Sequence, residues 1–209
     1  MKLQVFLVAF FVSLVGSIPP GTINITAMQM SMKGKIRAAY FLALGATAIE
    51  LIYATGVVRF QIFLNNNIDF THHFLLVTGL VMMVLGIQSL LSRTSSSSIK
   101  VNTQVRGRSG FLKGLILGLL NPLAIPFWLA VTTYLQANAW ITLGGIHSSL
   151  YLIGLTAGSL VTLFIVVRLG SNFQKISDKP WLVHILPGIT FLSLGCYNLW
   201  QWAFNPTSP

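Results

Sequence analysis

The chain carries three acidic residues among 209, and one of them, Glu50, stands in the middle of an apolar run, ALGATAIELIYATG (43–56). A carboxyl group at bilayer depth costs roughly several kcal/mol and as a rule faces the interior of a helix bundle or a wet cavity. If the run is helical, the residues three and four positions away are Ala46, Thr47, Tyr53 and Ala54. That face of small and polar residues suits close packing or a narrow cavity, and lipid contact would waste it. A carboxyl that gains and loses a proton there could couple solute movement to a proton gradient. The plainer alternative is a permanently protonated Glu50 that hydrogen-bonds Tyr53 or a backbone carbonyl and glues helices together.

A second chemical signal comes from two interrupted stretches, FVSLVGSIPPGTIN (11–24) and FLKGLILGLLNPLAIP (111–126). A shift of 102 residues sets Gly16 on Gly118 and Pro20 on Pro122. Proline removes a backbone donor and clashes with the preceding turn, which leaves carbonyls free. In lipid such groups survive only against protein or a water-filled cavity, and matched breaks in two halves of a chain point to a transporter's substrate site. Thr22 and Asn24 follow the first break, and Asn121 precedes Pro122 at the second. A half-helix starting after Pro20 would aim free N–H groups inward and favour a carboxylate. The expected substrate lining is therefore Pro20, Gly21, Thr22, Asn24, Asn121 and Pro122, with Tyr53 from the Glu50 face. The bland reading keeps the prolines as tolerated kinks and the asparagines as interhelical glue.

The elements that must position these groups are membrane helices. The chain is 54% hydrophobic and 8% charged, where soluble domains run at about 25% charged, and its mean hydropathy is +0.77. Six apolar stretches approach or exceed the roughly 20 residues that a span needs: Leu3 to Ser31, Ala38 to Val58, Phe74 to Leu91, Phe111 to Leu135, Gly144 to Val167 and Leu182 to Ala203. None alternates as a barrel strand does. The loops after the first, third and fifth stretches hold eleven of the thirteen Lys and Arg residues. The positive-inside rule then puts those loops in the cytoplasm and both termini outside, in a plasma (inner) membrane. Trp140, Trp181, Trp200 and Trp202 fall near span ends, as an aromatic belt does, whereas Trp128 sits deeper.

Between the third and fourth stretches lies RTSSSSIKVNTQVRGRSG (93–110), polar, Ser-rich and basic. It reads as a cytoplasmic linker between a first half (1–92) and a second half (111–209) of one transmembrane domain. Three spans per half is odd, so the halves would be inverted in the membrane. The expected fold is all-α, with six transmembrane helices in two inverted three-helix repeats.

Several function classes fall away. The net charge of +10 sits in loops between apolar runs, which is a topology signal and no nucleic-acid surface. The lone Cys196 makes no intrachain disulfide. His72 and His73 at a span end, with solitary His147 and His184, form no expected metal site, and no phosphate-binding Gly loop encodes an ATP motor. No cofactor is expected. A signal peptide over Leu3 to Val15 is disfavoured, because apolar character resumes after the break without a small-x-small cleavage site.

At this point the chain resembles the LysE/RhtB-type amino-acid exporters along essentially its whole length. That family interrupts its first helix with Pro-Gly-Pro; here the residues are Pro20, Gly21 and Thr22. A short basic turn and a small-residue helix with an acid follow, as in MKGKIRAAYFLALGATAIELIYA (32–54) with Glu50. The family's Leu-Asn-Pro-Lys motif is present as Leu120, Asn121, Pro122 and Leu123. The resemblance implies proton-linked efflux of amino acids or related small metabolites, and often a homodimer. Thr22 in place of the second Pro and Leu123 in place of the Lys leave the substrate and its charge open. The rival readings are a membrane-embedded enzyme, which lacks a catalytic cluster beside the lone acid, and a non-transporting scaffold, which has no need of that acid.

Overall fold

The computed structural model describes residues 2–18, 21–65, 68–91, 107–121, 124–177 and 185–204. Pro20, Pro122 and Leu123, together with Asp178, Trp181 and His184 and most of the Ser-rich linker, lie outside the described residues. Within them the chain forms eight α-helices and no strand: α1 (Lys2–Gly16), α2 (Thr22–Met32), α3 (Ile36–Asn65), α4 (Ile68–Leu91), α5 (Gly107–Leu119), α6 (Ala124–Ala137), α7 (Gly145–Ser177) and α8 (Leu186–Phe204).

The first and fourth apolar stretches are each divided between two helices. The first ends at Gly16 and resumes at Thr22; the fourth ends at Leu119 and resumes at Ala124. The 102-residue shift that aligns Pro20 with Pro122 also sets Thr22 on Ala124, the two restart points. Each half of the chain thus opens with a helix interrupted at a corresponding place. By length and apolar character, Ile36–Phe63 and Gly145–Gly170 are each able to cross a membrane alone. The pair Ser109–Leu119 and Ala124–Ala137, bent by 66°, is long and apolar enough only when taken together, as a broken span or a re-entrant loop. Lys2–Gly16 and Leu75–Leu91 are shorter apolar helices. The four residues 107–110 expected at the end of the linker are already the first turn of α5.

Between α2 and α3 the chain reverses in three residues. Gly34 takes φ of +74°, a left-handed conformation that costs a side-chain-bearing residue more. The Lys35 amide reaches back to the Met30 carbonyl at 2.9 Å, closing the end of α2. Ser31 donates to the Val167 carbonyl at 2.5 Å and pins this turn to α7.

Three helix pairings build the rest. α1 runs parallel to α7, α5 runs parallel to α3, and α4 lies antiparallel to α8. All three rest on glycine. A Cβ added at Gly110 would strike the Ala38 carbonyl, one at Gly114 the Leu42 carbonyl, and one at Gly45 the Phe111 carbonyl. The same applies to Gly154 against Phe6 and Gly158 against Phe10 across α1 and α7. In the third pair, Gly79 meets Gly195 and Gly86 meets Gly188. Lipid tails are as apolar as leucine, so helices gain association energy from close van der Waals contact of this kind. Ala39, Ala43 and Thr47, the small-residue ladder of α3, are all buried, as that packing requires.

This contact geometry separates the α3–α5 contact glycines from Gly56, also on α3. Gly114→Val is expected to destabilise the protein by about 1–3 kcal/mol, as overpacking does, and to lower its melting temperature in detergent. Gly56, with nothing within 4 Å of an added Cβ, should accept alanine with no loss, since alanine is the better helix former by about 1 kcal/mol.

Candidate functional site

Glu50 lies midway along α3, half-buried, with α6 and α7 converging on it. From α6, the buried Trp128 donates its indole N–H to Glu50 Oε1 at 3.0 Å. Trp128 comes one turn after the restart of the second interrupted helix, and Phe127 beside it packs edge-on against the indole. From α7, Ser159 lies beside the Glu50 carboxyl. The hydrogen bond that holds the acid comes from a neutral group on another helix, the Trp128 indole.

Ser159 is itself the hub of a buried hydroxyl cluster. Its oxygen is 3.0 Å from Ser13 Oγ and 3.0 Å from Ser17 Oγ, both on the chain entering the first break. Ser13 and Ser159 are almost wholly inaccessible. Ser13 in turn donates to the Leu155 carbonyl at 2.7 Å, and Thr162 donates to the Leu14 carbonyl at 2.8 Å. Helix α7 is thus bonded to the last turn of α1 before the first break.

The two breaks are closed in the same manner. Asn24 sends its side-chain N–H to the Ser17 carbonyl at 2.8 Å, across the gap between α1 and α2. Tyr53 sends its hydroxyl to the Leu119 carbonyl at 2.9 Å, at the end of α5. A carbonyl freed by an interrupted ladder costs about 1–3 kcal/mol if buried without a partner, and at each break one carbonyl accepts from a side chain of another helix, α2 at the first and α3 at the second. Tyr53 is therefore not the partner of Glu50 that the plainer reading of the sequence offered. Its hydroxyl serves the backbone of the second break, and the hydrogen bond to Glu50 comes from Trp128.

The remaining expected lining residues fall around the breaks. Gly21 is the residue before α2, extended (φ −85°, ψ 179°), exposed, with no side-chain cap on the helix. Thr22 is exposed, and its carbonyl accepts from Thr26 at 2.6 Å. Asn121 is half-buried, its amide bonded to the Gly118 carbonyl at 3.1 Å. Asn24 is buried. Pro20 and Pro122 lie outside the described residues.

Four residues of the cluster do not stand out in the sequence. Trp128 gives a signal, as the one tryptophan away from the span ends, but its partner was not legible. Ser13, Ser17 and Ser159 resemble any small residue of a packed membrane helix. Hydroxyls and an indole around one carboxyl group offer protons, and are a poor substitute for the several carboxylates, imidazoles or thiolates that a metal takes.

Comparison with known proteins agrees with this architecture. The family profile described as LysE type translocator matches residues 14–201, from within α1 to near the end of α8. The chain belongs to the LysE type translocator family. It is 24% identical over 206 residues to a Bacillus subtilis (strain 168) protein named "Putative amino acid efflux protein YcgF", covering 95% of this chain and 97% of that one. No solved structure matches. As a LysE type translocator built from apolar helices, the chain is a multi-pass membrane transporter. Its three long helical pairings therefore have lipid as their outer solvent, and the Glu50 cluster forms their polar interior.

The capping bonds can be weighed separately from the acid. Asn24→Leu removes the donor at the Ser17 carbonyl and is expected to cost about 1–3 kcal/mol, against about 1 kcal/mol for Tyr53→Phe. Chemical unfolding in detergent micelles, read by circular dichroism, checks both. Equal stability of Asn24→Leu and wild type would remove the capping role.

Proposed function

We propose that the chain exports amino acids or related small metabolites by proton-coupled secondary transport, with Glu50 carrying the proton. The observation that carries this reading is the position of Glu50: an acid midway along a long apolar helix, hydrogen-bonded by the buried Trp128, in a bundle whose two helix breaks are each capped by a side chain. The substrate binds between the breaks, near the midplane, lined by Pro20, Gly21, Thr22, Asn24, Asn121, Pro122 and Tyr53. The name of the Bacillus subtilis relative supports the substrate class.

The architecture behind this is six spans in two inverted three-helix halves, 1–92 and 111–209, joined by the cytoplasmic linker. Both termini face outward, the basic loops face the cytoplasm, and the molecule sits in the plasma membrane, as a homodimer in keeping with its family. Helix directions support the inversion. In a six-span chain with interchangeable halves, the first span and the fifth run the same way, as do the second and fourth, while the third and sixth oppose. α1 with α7, α3 with α5, and α4 with α8 have these senses. A shift of 109 residues also sets Gly79 on Gly188 and Gly86 on Gly195, so the two α4–α8 contacts exchange with one another. The same shift sets Gly45 on Gly154 and Glu50 on Ser159. In this reading Glu50 and Ser159 occupy equivalent positions of the two halves, close to the axis relating them. Rocking of one half against the other about that axis provides alternating access.

In proteoliposomes with an imposed pH gradient, an amino-acid export screen should identify the substrate. Glu50→Gln is expected to abolish proton-driven flux, by at least about 100-fold, the scale of one lost acid–base group, with the protein still folded by size-exclusion chromatography. Full gradient-dependent transport by that variant overturns the coupling role. Cysteines placed at Thr22 and Asn121 should react with water-soluble thiol reagents and be protected by substrate. Inaccessible cysteines at both positions would favour a non-transporting scaffold.

A further inference from the structure

The correspondence between the two halves also picks out contacts that only one of them makes. A shift of 102 residues sets Gly16 on Gly118, Ile25 on Phe127 and Thr26 on Trp128, and the shift of 109 sets Glu50 on Ser159. One turn into α6, Phe127 and Trp128 both reach into the first half. The Phe127 ring covers the end of α1, where a Cβ added at Gly16 would lie 3.0 Å from its Cζ, and the Trp128 indole donates to Glu50 at 3.0 Å. Their counterparts on α2 are turned elsewhere. Ile25 packs with Met28, Leu42 and Val166 between α2, α3 and α7, and the Thr26 hydroxyl donates to the Thr22 carbonyl of its own helix at 2.6 Å. Gly118 is covered instead by Ile49, whose Cβ an added Cβ would meet at 2.9 Å, and Ser159 bonds Ser13 and Ser17. The neighbouring helices differ in the same sense: α2 lies against α3 and α7, whereas α6 lies against α3, α4 and α8.

Inverted repeats that stand in unlike positions can exchange them, and the cavity then opens to the other face of the membrane. We propose that α2 and α6 are the two gates of this transporter and that they exchange seats. In the second arrangement Ile25 sits on Gly118 and the Thr26 hydroxyl reaches Ser159, while Phe127 leaves Gly16 and Trp128 leaves Glu50. Phe127 and Ile25 thus close the substrate space by turns, each against the glycine near the end of the broken helix in the opposite half. Glu50 gains and loses its indole donor once in every exchange, so the acid changes surroundings in step with the gates. This inference rests on the reading that the halves are inverted repeats moving about a substrate site between them.

The test uses two cysteine pairs in a Cys196→Ser background, since Cys196 is free. Gly16→Cys with Phe127→Cys reports the present arrangement, and Leu119→Cys with Ile25→Cys reports the exchanged one. Leu119 stands in for Gly118 because it is exposed, whereas a side chain at Gly118 would strike Ile49. Reconstituted full-length protein, without substrate, is treated with a short bis-methanethiosulfonate linker, and the linked peptides are quantified by mass spectrometry. Both pairs should link. Trp128→Phe removes the donor to Glu50 and keeps an aromatic ring. It should raise the rate of the Leu119–Ile25 link relative to the Gly16–Phe127 link by about fivefold, the factor that one ordinary hydrogen bond makes in an equilibrium. Either link should stop amino-acid flux in proteoliposomes, and reductant should restore it. Absence of the Leu119–Ile25 link in both backgrounds, with the wild-type protein exporting amino acids, overturns the exchange and leaves the transport reading standing. A Gly16–Phe127 link that leaves flux unchanged overturns the closing role of Phe127, and an unchanged ratio in Trp128→Phe overturns the part given to Trp128. Both links forming at the expected ratio, in a protein that moves no amino acid, supports the exchange and overturns the substrate class.

Discussion

A polypeptide that breaks its helices in an apolar solvent must answer for every carbonyl it exposes, and the rest of this structure follows from that demand. The ladder is interrupted after Gly16 and again after Leu119. Lipid offers no hydrogen bond, and an unpaired buried carbonyl is costly. Asn24 and Tyr53 supply the missing donors. Asn24 does so from the helix that resumes after the first break, and Tyr53 from α3, which must then lie against α5. The glycines complete the arrangement by letting α3 meet α5, and α7 meet α1, at backbone distance.

The same solvent explains why the polar groups turn inward. Glu50 in α3 accepts the indole N–H of Trp128 from α6. Ser159 of α7 reaches Ser13 and Ser17 only because Gly154 and Gly158 hold α7 against α1. Close packing and polar satisfaction are thus two aspects of a single geometry, one that fits a LysE type translocator.

Much of this was legible in the sequence because the relevant residues are expensive ones. A lone Glu in a 14-residue apolar segment, and prolines at matching depths in two long apolar runs, have few harmless explanations in a membrane. The breaks appear where Pro20 and Pro122 imply them, between Gly16 and Thr22 and between Leu119 and Ala124. Serines are cheap by comparison. Ser13, Ser17 and Ser159 pack like alanine and can satisfy themselves on their own helix, so their presence in three places predicts no meeting. Tyr53 stands on the Glu50 face by helical spacing, but spacing says nothing of how far its hydroxyl reaches, and it bonds the Leu119 carbonyl.

By itself, the sequence determined the solvent, the all-helical character, the positions of the breaks and the place of an acid deep in an apolar run, since each depends on the cost of single residues in hydrocarbon. Which helices pair, which donor closes which break, and which group bonds Glu50 were decided only by the tertiary structure. Those depend on contacts between residues as far as 148 positions apart, as with Thr162 and Leu14. No local pattern encodes them, because a hydroxyl or a glycine acquires its meaning from the backbone brought within reach of it.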